Sequence, residues 1–222
     1  MTARALRLAV LISGRGSNLK AILDAIAAGR LAARVALVLS NRPGAAGLDL
    51  AATAGLTTAL VDHRQYPDRA AFEQALAAQL DTAQPDLLVL AGFMRVLTAD
   101  FVQRYRGRLI NIHPSLLPAF AGLGTHARAL AAGATEHGAS VHFVTAAVDG
   151  GPLIAQTRVP VLADDTPDTL AARVLCAEHR LYPQVIGWYA AGRLALDGEA
   201  VLLDGLPLTS PVQLDCQMTD HA

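Results

Sequence analysis

The 222-residue chain has little cysteine, few aromatics and little charge, and each shortage narrows what it can be. Its two cysteines, Cys176 and Cys216, stand in no CxxC-type spacing, and no HExxH occurs. A disulfide scaffold and a regular zinc site are thereby disfavoured, and the thiols read as free in a reducing compartment. A formal net charge of -1 leaves no basic surplus for nucleic acid or an anionic membrane. Any anion must then be held locally, by helix ends or single arginines. The first apolar run, Leu8 to Ile12, is too short to cross a bilayer and enters a glycine turn at once, so it reads as a strand rather than a leader. Charged residues make up 17% against 53% apolar, which favours a packed globule over disorder. The expectation is a cytoplasmic protein without metal, nucleic-acid or membrane partners.

What is present is an alternation of apolar strands and amphipathic helices. RLAVLIS (7–13), VALVLS (35–40), 57–61, DLLVLAG (86–92), RLINIH (108–113), SVHFV (140–144) and PLIAQTRVPV (152–161) read as strands. Helices are expected at 19–29, at about 46–54 and at 67–80, where Phe72, Leu76 and Leu80 share a face. A last helix starts at Thr166-Pro167-Asp168, with Thr166 as N-cap, and Pro183 is expected to kink or divide it. LALDGEAVLLDG (194–205) suggests a hairpin turning at Asp197-Gly198. The order predicts an α/β fold, a doubly wound and mainly parallel sheet with helices on both faces. Ligands in such sheets sit beyond the carboxyl ends of the strands. The last dozen or so residues carry no pattern and are expected to be loose.

Ser13-Gly14-Arg15-Gly16-Ser17-Asn18 joins the first strand to the first helix. Glycines allow close backbone approach, free N–H groups at a helix start attract an anion, and Ser17 and Asn18 offer side-chain donors. The pattern is neither a Walker A loop nor GxGxxG, and a tight turn with a good N-cap explains it equally well. Arg69 and Arg95 could supplement the loop. Arg95 is the better candidate, because it interrupts the apolar stretch AGFMRVL (91–97).

Asn111 and His113 lie two apart at a strand's carboxyl end, hence on one face. Two such donors can hold a developing oxyanion, and a histidine can move a proton near neutral pH. Pro114 and Pro118 restrict how the loop leaves the strand. Asp149, followed by Gly150 and Gly151, is the candidate carboxylate, although Asp-Gly-Gly is also ordinary turn chemistry. Ser115 lacks an evident base and Cys176 sits in a helix, so no protein nucleophile stands beside the three. Asn, His and Asp suit acyl transfer in which a substrate amine is the nucleophile. His126, His137 and His142 have no ligand spacing and read as supporting residues.

Taken together, LISGRGSNL (11–19), VLAGFMRVL (89–97), NIHPSLLP (111–118), HGASVHFV (137–144), VDGGP (148–152) and AEHRLYP (177–183) resemble the folate-dependent phosphoribosylglycinamide formyltransferases. The resemblance implies formyl transfer from 10-formyltetrahydrofolate to the amine of glycinamide ribonucleotide, with no metal. It implies catalysis by Asn111, His113 and Asp149. Gly16, Ser17, Asn18, Arg69 and Glu178 then face the ribonucleotide. Met94, Arg95, Val96 and Leu97, with Val144, Thr145, Ala146, Ala147 and Val148, face the folate. One formyltransferase domain spans 1–207, with a Rossmann-type phosphate-binding half over about 1–105, a catalytic and folate half over about 106–207, and a flexible tail at 208–222. A monomer or homodimer is expected.

Arg15, Ala119 and Gly124 depart from the family pattern, and the loop holding the last two is expected not to touch the catalytic trio. Methionyl-tRNA formyltransferase would need a further C-terminal domain and a basic surface. A formyltetrahydrofolate hydrolase would carry an extra N-terminal domain, whereas the first strand here begins by residue 7. A non-catalytic nucleotide-binding module is the reading from another class.

Overall fold

The structure is a computed structural model and describes residues 4–215, so Cys216 lies outside the described residues. Five strands, β1 (Leu6–Ile12), β2 (Ala33–Ser40), β3 (Thr58–Leu60), β4 (Leu87–Leu90) and β5 (Leu109–His113), run parallel in the order β3-β2-β1-β4-β5. The chain leaves β1 on one side, builds β2 and β3, then returns to place β4 on the other. Direction then reverses twice: β6 (Glu136–Phe143) is antiparallel to β5, and β7 (Leu153–Pro160) is antiparallel to β6. A separate small sheet holds β8 (Leu194–Asp197), β9 (Ala200–Leu203) and β10 (Leu206–Pro207), with the expected tight turn at Gly198.

Side-chain alternation divides the core into two layers. Leu8, Val10 and Ile12 of β1 and Leu87 and Val89 of β4 pack into one apolar cluster. Ala9, Leu11, Leu88 and Leu90 point into the other. On the first face lie α1 (Ser17–Ala27), α2 (Ala46–Thr53) and α6 (Pro167–Ala190). On the second lie α3 (Arg69–Ala83) and α4 (Ala99–Arg104). A sheet buried on both faces must be apolar at every position, which is why these strands read as continuous runs.

Four features differ from the expectations. First, α4 and α5 (Thr125–Ala131) were not foreseen, being six and seven residues long. Thr98 does cap α4, accepting from the Phe101 N–H, and Glu73 in turn accepts from the Thr98 N–H at 2.7 Å. Second, Pro183 does not divide α6, which continues from Pro167 to Ala190. The lost hydrogen bond is offset by burial, because Leu181, Tyr182, Val185 and Ile186 around it are at most 1% exposed. Tyr182 also ties the helix to the sheet, its hydroxyl lying 3.0 Å from the Leu90 carbonyl and 3.1 Å from that of Ile110. Third, part of the expected loose tail is a strand: β11 (Val212–Leu214) pairs in parallel with β7 and closes that edge of the sheet. Three residues are too few to show a period. Fourth, β6 begins at Glu136, four residues before the expected strand.

Two glycines make opposite predictions. A Cβ on Gly138 of β6 would stand 2.0 Å from the Thr157 carbonyl, so Gly138→Ala should lower unfolding stability by about 2–3 kcal/mol. On Gly187 of α6 the nearest atom would be Leu31 Cδ1 at 3.9 Å, so Gly187→Ala should raise it by about 0.5–1 kcal/mol. Denaturant titration of both variants checks the pair.

Candidate active site

The loop after β1 meets α1 without a side-chain cap. Gly16 is the N-cap residue at φ 77°, and no side chain bonds the first-turn N–H groups. Those donors and the positive end of the helix dipole are free for an anion. The rival reading of the loop, a turn closed by a good cap, does not describe this geometry. Sequence reading missed the residue that holds the loop in place, Gly47 at the start of α2. Its N–H donates to the Gly14 carbonyl at 3.0 Å. A Cβ on Gly16 would fall 2.8 Å from Gly47 Cα, and one on Gly47 would fall 2.5 Å from Ile12 Cδ1. The small-residue run Gly44-Ala45-Ala46-Gly47 is the signal that could have found it.

Asn18 meets Glu178, the other residue expected to face the ribonucleotide from a distant part of the chain. Its amide Nδ2 donates to Glu178 Oε2 at 2.6 Å rather than facing the loop, and Oδ1 is buried without a partner. The pair joins α1 to α6. Burial pushes the Glu178 carboxyl up to about 7, with the Asn18 bond opposing. Ser17 is half-buried at the helix start, whereas Arg15 and Arg69 are exposed and their side chains bond no described residue. Ser13 locks the loop to its neighbour: Met94 N–H donates to Ser13 Oγ at 2.7 Å, and Ser13 N–H to the Gly92 carbonyl at 3.1 Å.

In that neighbouring segment, Met94 and Val96 are 59% and 47% exposed, while Leu97 is turned into the second core cluster. Arg95 is half-buried and its Nε is buried without a partner. Past β6, Val144 packs on the second cluster, Thr145 is half-buried, and Ala146, Ala147 and Val148 are exposed.

The three catalytic candidates come together on one face of β5. Ile110 and Ile112 point into the first core layer and Leu109 into the second, so Asn111 and His113 continue the second face beyond the cover of α3 and α4. Antiparallel pairing sets His142 opposite Asn111 and Ser140 opposite His113. Asp149 folds back over this face from the loop after β6. It holds φ 52°, a left-handed conformation uncommon for a non-glycine residue and typical of a constrained site. Gly151 permits this approach, since a Cβ there would stand 1.8 Å from the Phe143 carbonyl.

Asp149 Oδ2 lies 3.4 Å from His113 Nδ1, and Oδ1 lies 3.9 Å from His142 Nε2. Asn111 Nδ2 is 3.2 Å from His142 Nε2, and His142 Nδ1 is 2.8 Å from the Phe143 carbonyl. Nδ1 therefore carries the proton and Nε2 accepts from Asn111. Desolvation holds the His142 pKa down, so the ring stays a neutral acceptor. His142, read from sequence only as a supporting residue, is what orients the Asn111 carboxamide.

The loop with the departing residues Ala119 and Gly124 does touch the trio. His113 Nε2 donates to the Phe120 carbonyl at 3.1 Å, and Gly122 N–H donates to Asp149 Oδ2 at 2.9 Å. Both contacts use loop backbone, so side-chain identities gave no sign of them. Beneath the loop, the His126 and His137 rings stack edge to face at 5.3 Å, and desolvation lowers His137 to about 4. Ser115 is no nucleophile: its Oγ donates to the Ala119 carbonyl at 2.7 Å and fixes the loop.

A carboxamide, an imidazole and a carboxylate around one point, beside an uncapped helix start, have the chemistry that transfer of a small acyl group between two molecules requires. The family model described as formyl transferase matches residues 6–186, and the chain belongs to that family. It is 49% identical over 200 residues to the phosphoribosylglycinamide formyltransferase of Escherichia coli K12, covering 90% of this chain and 94% of that one. The structure of the same enzyme from Coxiella burnetii superposes with a TM-score of 0.91 at 52% identity, covering 94% and 98% of the two chains. A formyltetrahydrofolate deformylase from Pseudomonas putida KT2440 superposes at 0.82 with 25% identity, covering 91% of this chain and 71% of that one. Within the family the branch is that of the phosphoribosylglycinamide formyltransferases of purine biosynthesis.

Glu178 yields a pH test. Its folded pKa of about 7 lies above the ordinary 4.5, so its contribution to stability is complete below pH 4.5 and is lost as pH rises through 7. The Glu178→Gln variant escapes this loss. Its unfolding free energy minus that of wild type should climb between pH 4.5 and 7 by up to about 3 kcal/mol and then level off. Urea titrations across that range measure it; a flat difference refutes the protonated carboxyl.

Proposed function

We propose that formyl transfer proceeds by direct attack of the glycinamide ribonucleotide amine on the formyl carbon, with Asn111, His113 and Asp149 as the catalytic residues. The observation that carries this is the convergence of Asn111, His113 and Asp149 on one face of β5, linked through His142. The formyl donor, 10-formyltetrahydrofolate, is a substrate rather than a resident group, and it supplies the carbonyl that is attacked. An α-amino group has a pKa near ~8, so a useful fraction is neutral at working pH.

Asn111 Nδ2 has two hydrogens. One is held by His142, which leaves the other directed for the developing oxyanion. His113, as the imidazolium, adds positive charge beside it, paired with Asp149. Asp149 takes the ammonium proton through water and Gly122 N–H holds the carboxylate in place while it does so. The oxyanion then collapses, the bond from the formyl carbon to the folate nitrogen breaks, and that nitrogen leaves as tetrahydrofolate with the proton returned to it. The ribonucleotide phosphate sits on the uncapped N–H groups after Gly16, with Arg69 and Arg15 free to swing toward it. Glu178 receives ribonucleotide hydroxyls. The exposed Met94 and Val96 with the 144–148 segment receive the folate. The reaction belongs to the cytoplasm, and no described helix is long and apolar enough to cross a membrane.

Two other readings make different predictions. A hydrolase releases formate without the ribonucleotide, and a non-catalytic module binds without turnover. With both substrates present and folate absorbance followed, wild type should turn over only when the ribonucleotide is added. Asp149→Asn should keep its thermal midpoint and lose about 10²–10⁴-fold in kcat. Asn111→Ala should lose about 10²–10³-fold. Undiminished turnover in Asp149→Asn rejects the assignment.

A further inference from the structure

We propose that the opposite end of the sheet, where β1, β4 and β5 begin, carries a second anion site built on Arg108 that takes a phosphate monoester. A cavity of about 540 Å³ opens there, with Arg4, Arg7, Asp86, Tyr105 and Arg108 in its wall. Its size exceeds what inorganic phosphate fills and admits an attached sugar.

The charges in this wall are unevenly satisfied. Arg4 pairs with Asp86 at 2.6 Å, and the adjacent Arg104 pairs with Asp81 at 2.7 Å. Arg7 donates from Nε to the Gln84 carbonyl at 3.0 Å and from Nη2 to the Ala83 carbonyl, at the end of α3. The Arg108 side chain makes no ion pair or hydrogen bond with the described residues, its contact there being with the Tyr105 ring. Four arginines thus face two carboxylates, a local excess of positive charge in a protein whose net charge is -1.

Arg108 is also held in place, unlike a freely solvated surface arginine. Its guanidinium carbon sits 5.1 Å from the centroid of the Tyr105 ring, and that of Arg104 sits 5.6 Å from it. Tyr105 is only 2% exposed, and its hydroxyl is buried with no hydrogen-bond partner. A buried unpartnered hydroxyl is costly, and native structures contain few. An acceptor oxygen brought in by an anion on Arg108 would relieve it. The planar guanidinium fork matches two phosphate oxygens at once, and a dianion matches the charge excess. Chain direction separates this place from the active site, which lies beyond the carboxyl ends of the same strands.

The test is an NMR titration of the arginine Nε–Hε signals with ribose 5-phosphate, with inorganic phosphate and, as control, with sodium chloride at matched ionic strength. The Arg108 signal is assigned by its absence in Arg108→Gln and in Arg108→Lys. A saturable shift of that signal, unchanged when glycinamide ribonucleotide fills the active site, supports the site. Tighter saturation by ribose 5-phosphate assigns a sugar phosphate, and equal saturation assigns phosphate itself. Arg108→Gln should keep full formyl transfer and weaken the binding at least tenfold in stoichiometric titration. A shift that merely follows the chloride control overturns the proposal, as does wild-type binding in Arg108→Gln. The wild-type titration stands whether or not either variant folds.

Discussion

The antiparallel pairing of β5 with β6 is the constraint on which the site depends. Parallel strands deliver residues to the carboxyl end of the sheet, but they cannot bring a returning strand's side chains opposite them. Reversing the chain at β6 sets His142 against Asn111 and Ser140 against His113. The reversal also sends the following loop back across the sheet face, so that Asp149 can reach both histidines. If this pairing slipped by one residue, every side chain would change face, and the trio would be dismantled while the apolar core lost its own register.

Ser140 shows how one position serves both the sheet and the site. Its Oγ accepts from the Leu117 N–H at 3.0 Å and donates to the Ser115 carbonyl at 2.7 Å. Gln156 of β7 adds donors to the Leu117 carbonyl at 2.8 Å and to Ser140 Oγ at 2.9 Å. The loop leaving His113 is thus fastened from below by buried, satisfied polar groups. Such a network is rigid because breaking one member leaves the others unpaired in a poorly solvated interior. Its consequence is at the other end of the loop, where the Phe120 carbonyl and the Gly122 N–H meet His113 and Asp149. The His113 and Asp149 contacts with this loop are made by its backbone, which tolerates the side-chain departures at Ala119 and Gly124.

The two ends of the sheet present different kinds of hydrogen-bond donor. At the carboxyl end the donors are backbone N–H groups of α1, with glycines excluding side chains from the approach. At the amino end they are arginine side chains packed on Tyr105.

Much was legible in the residues themselves. Runs such as Leu8–Ile12 pointed to strands buried on both faces, because an apolar run ended so soon by a glycine turn is shorter than an ordinary buried helix. Thr166-Pro167-Asp168 fixed a helix start that the structure shows as a capping box. The period of two put Asn111 and His113 on one face before any fold was known. Helices α4 and α5 were too short to give a period, and β11 had only three residues in which to show one. Of the two outcomes expected at Pro183, division of the helix does not occur, because local rules do not count the burial around it. Roles set by distant partners were hidden for a different reason. Asn18 turns to Glu178, 160 residues away, and His142 orients Asn111 only because β6 runs antiparallel to β5. Local sequence decides which segments form and which faces are apolar. Which side chain meets which across the sheet is decided by register and chain reversal, and those are properties of the whole packed core.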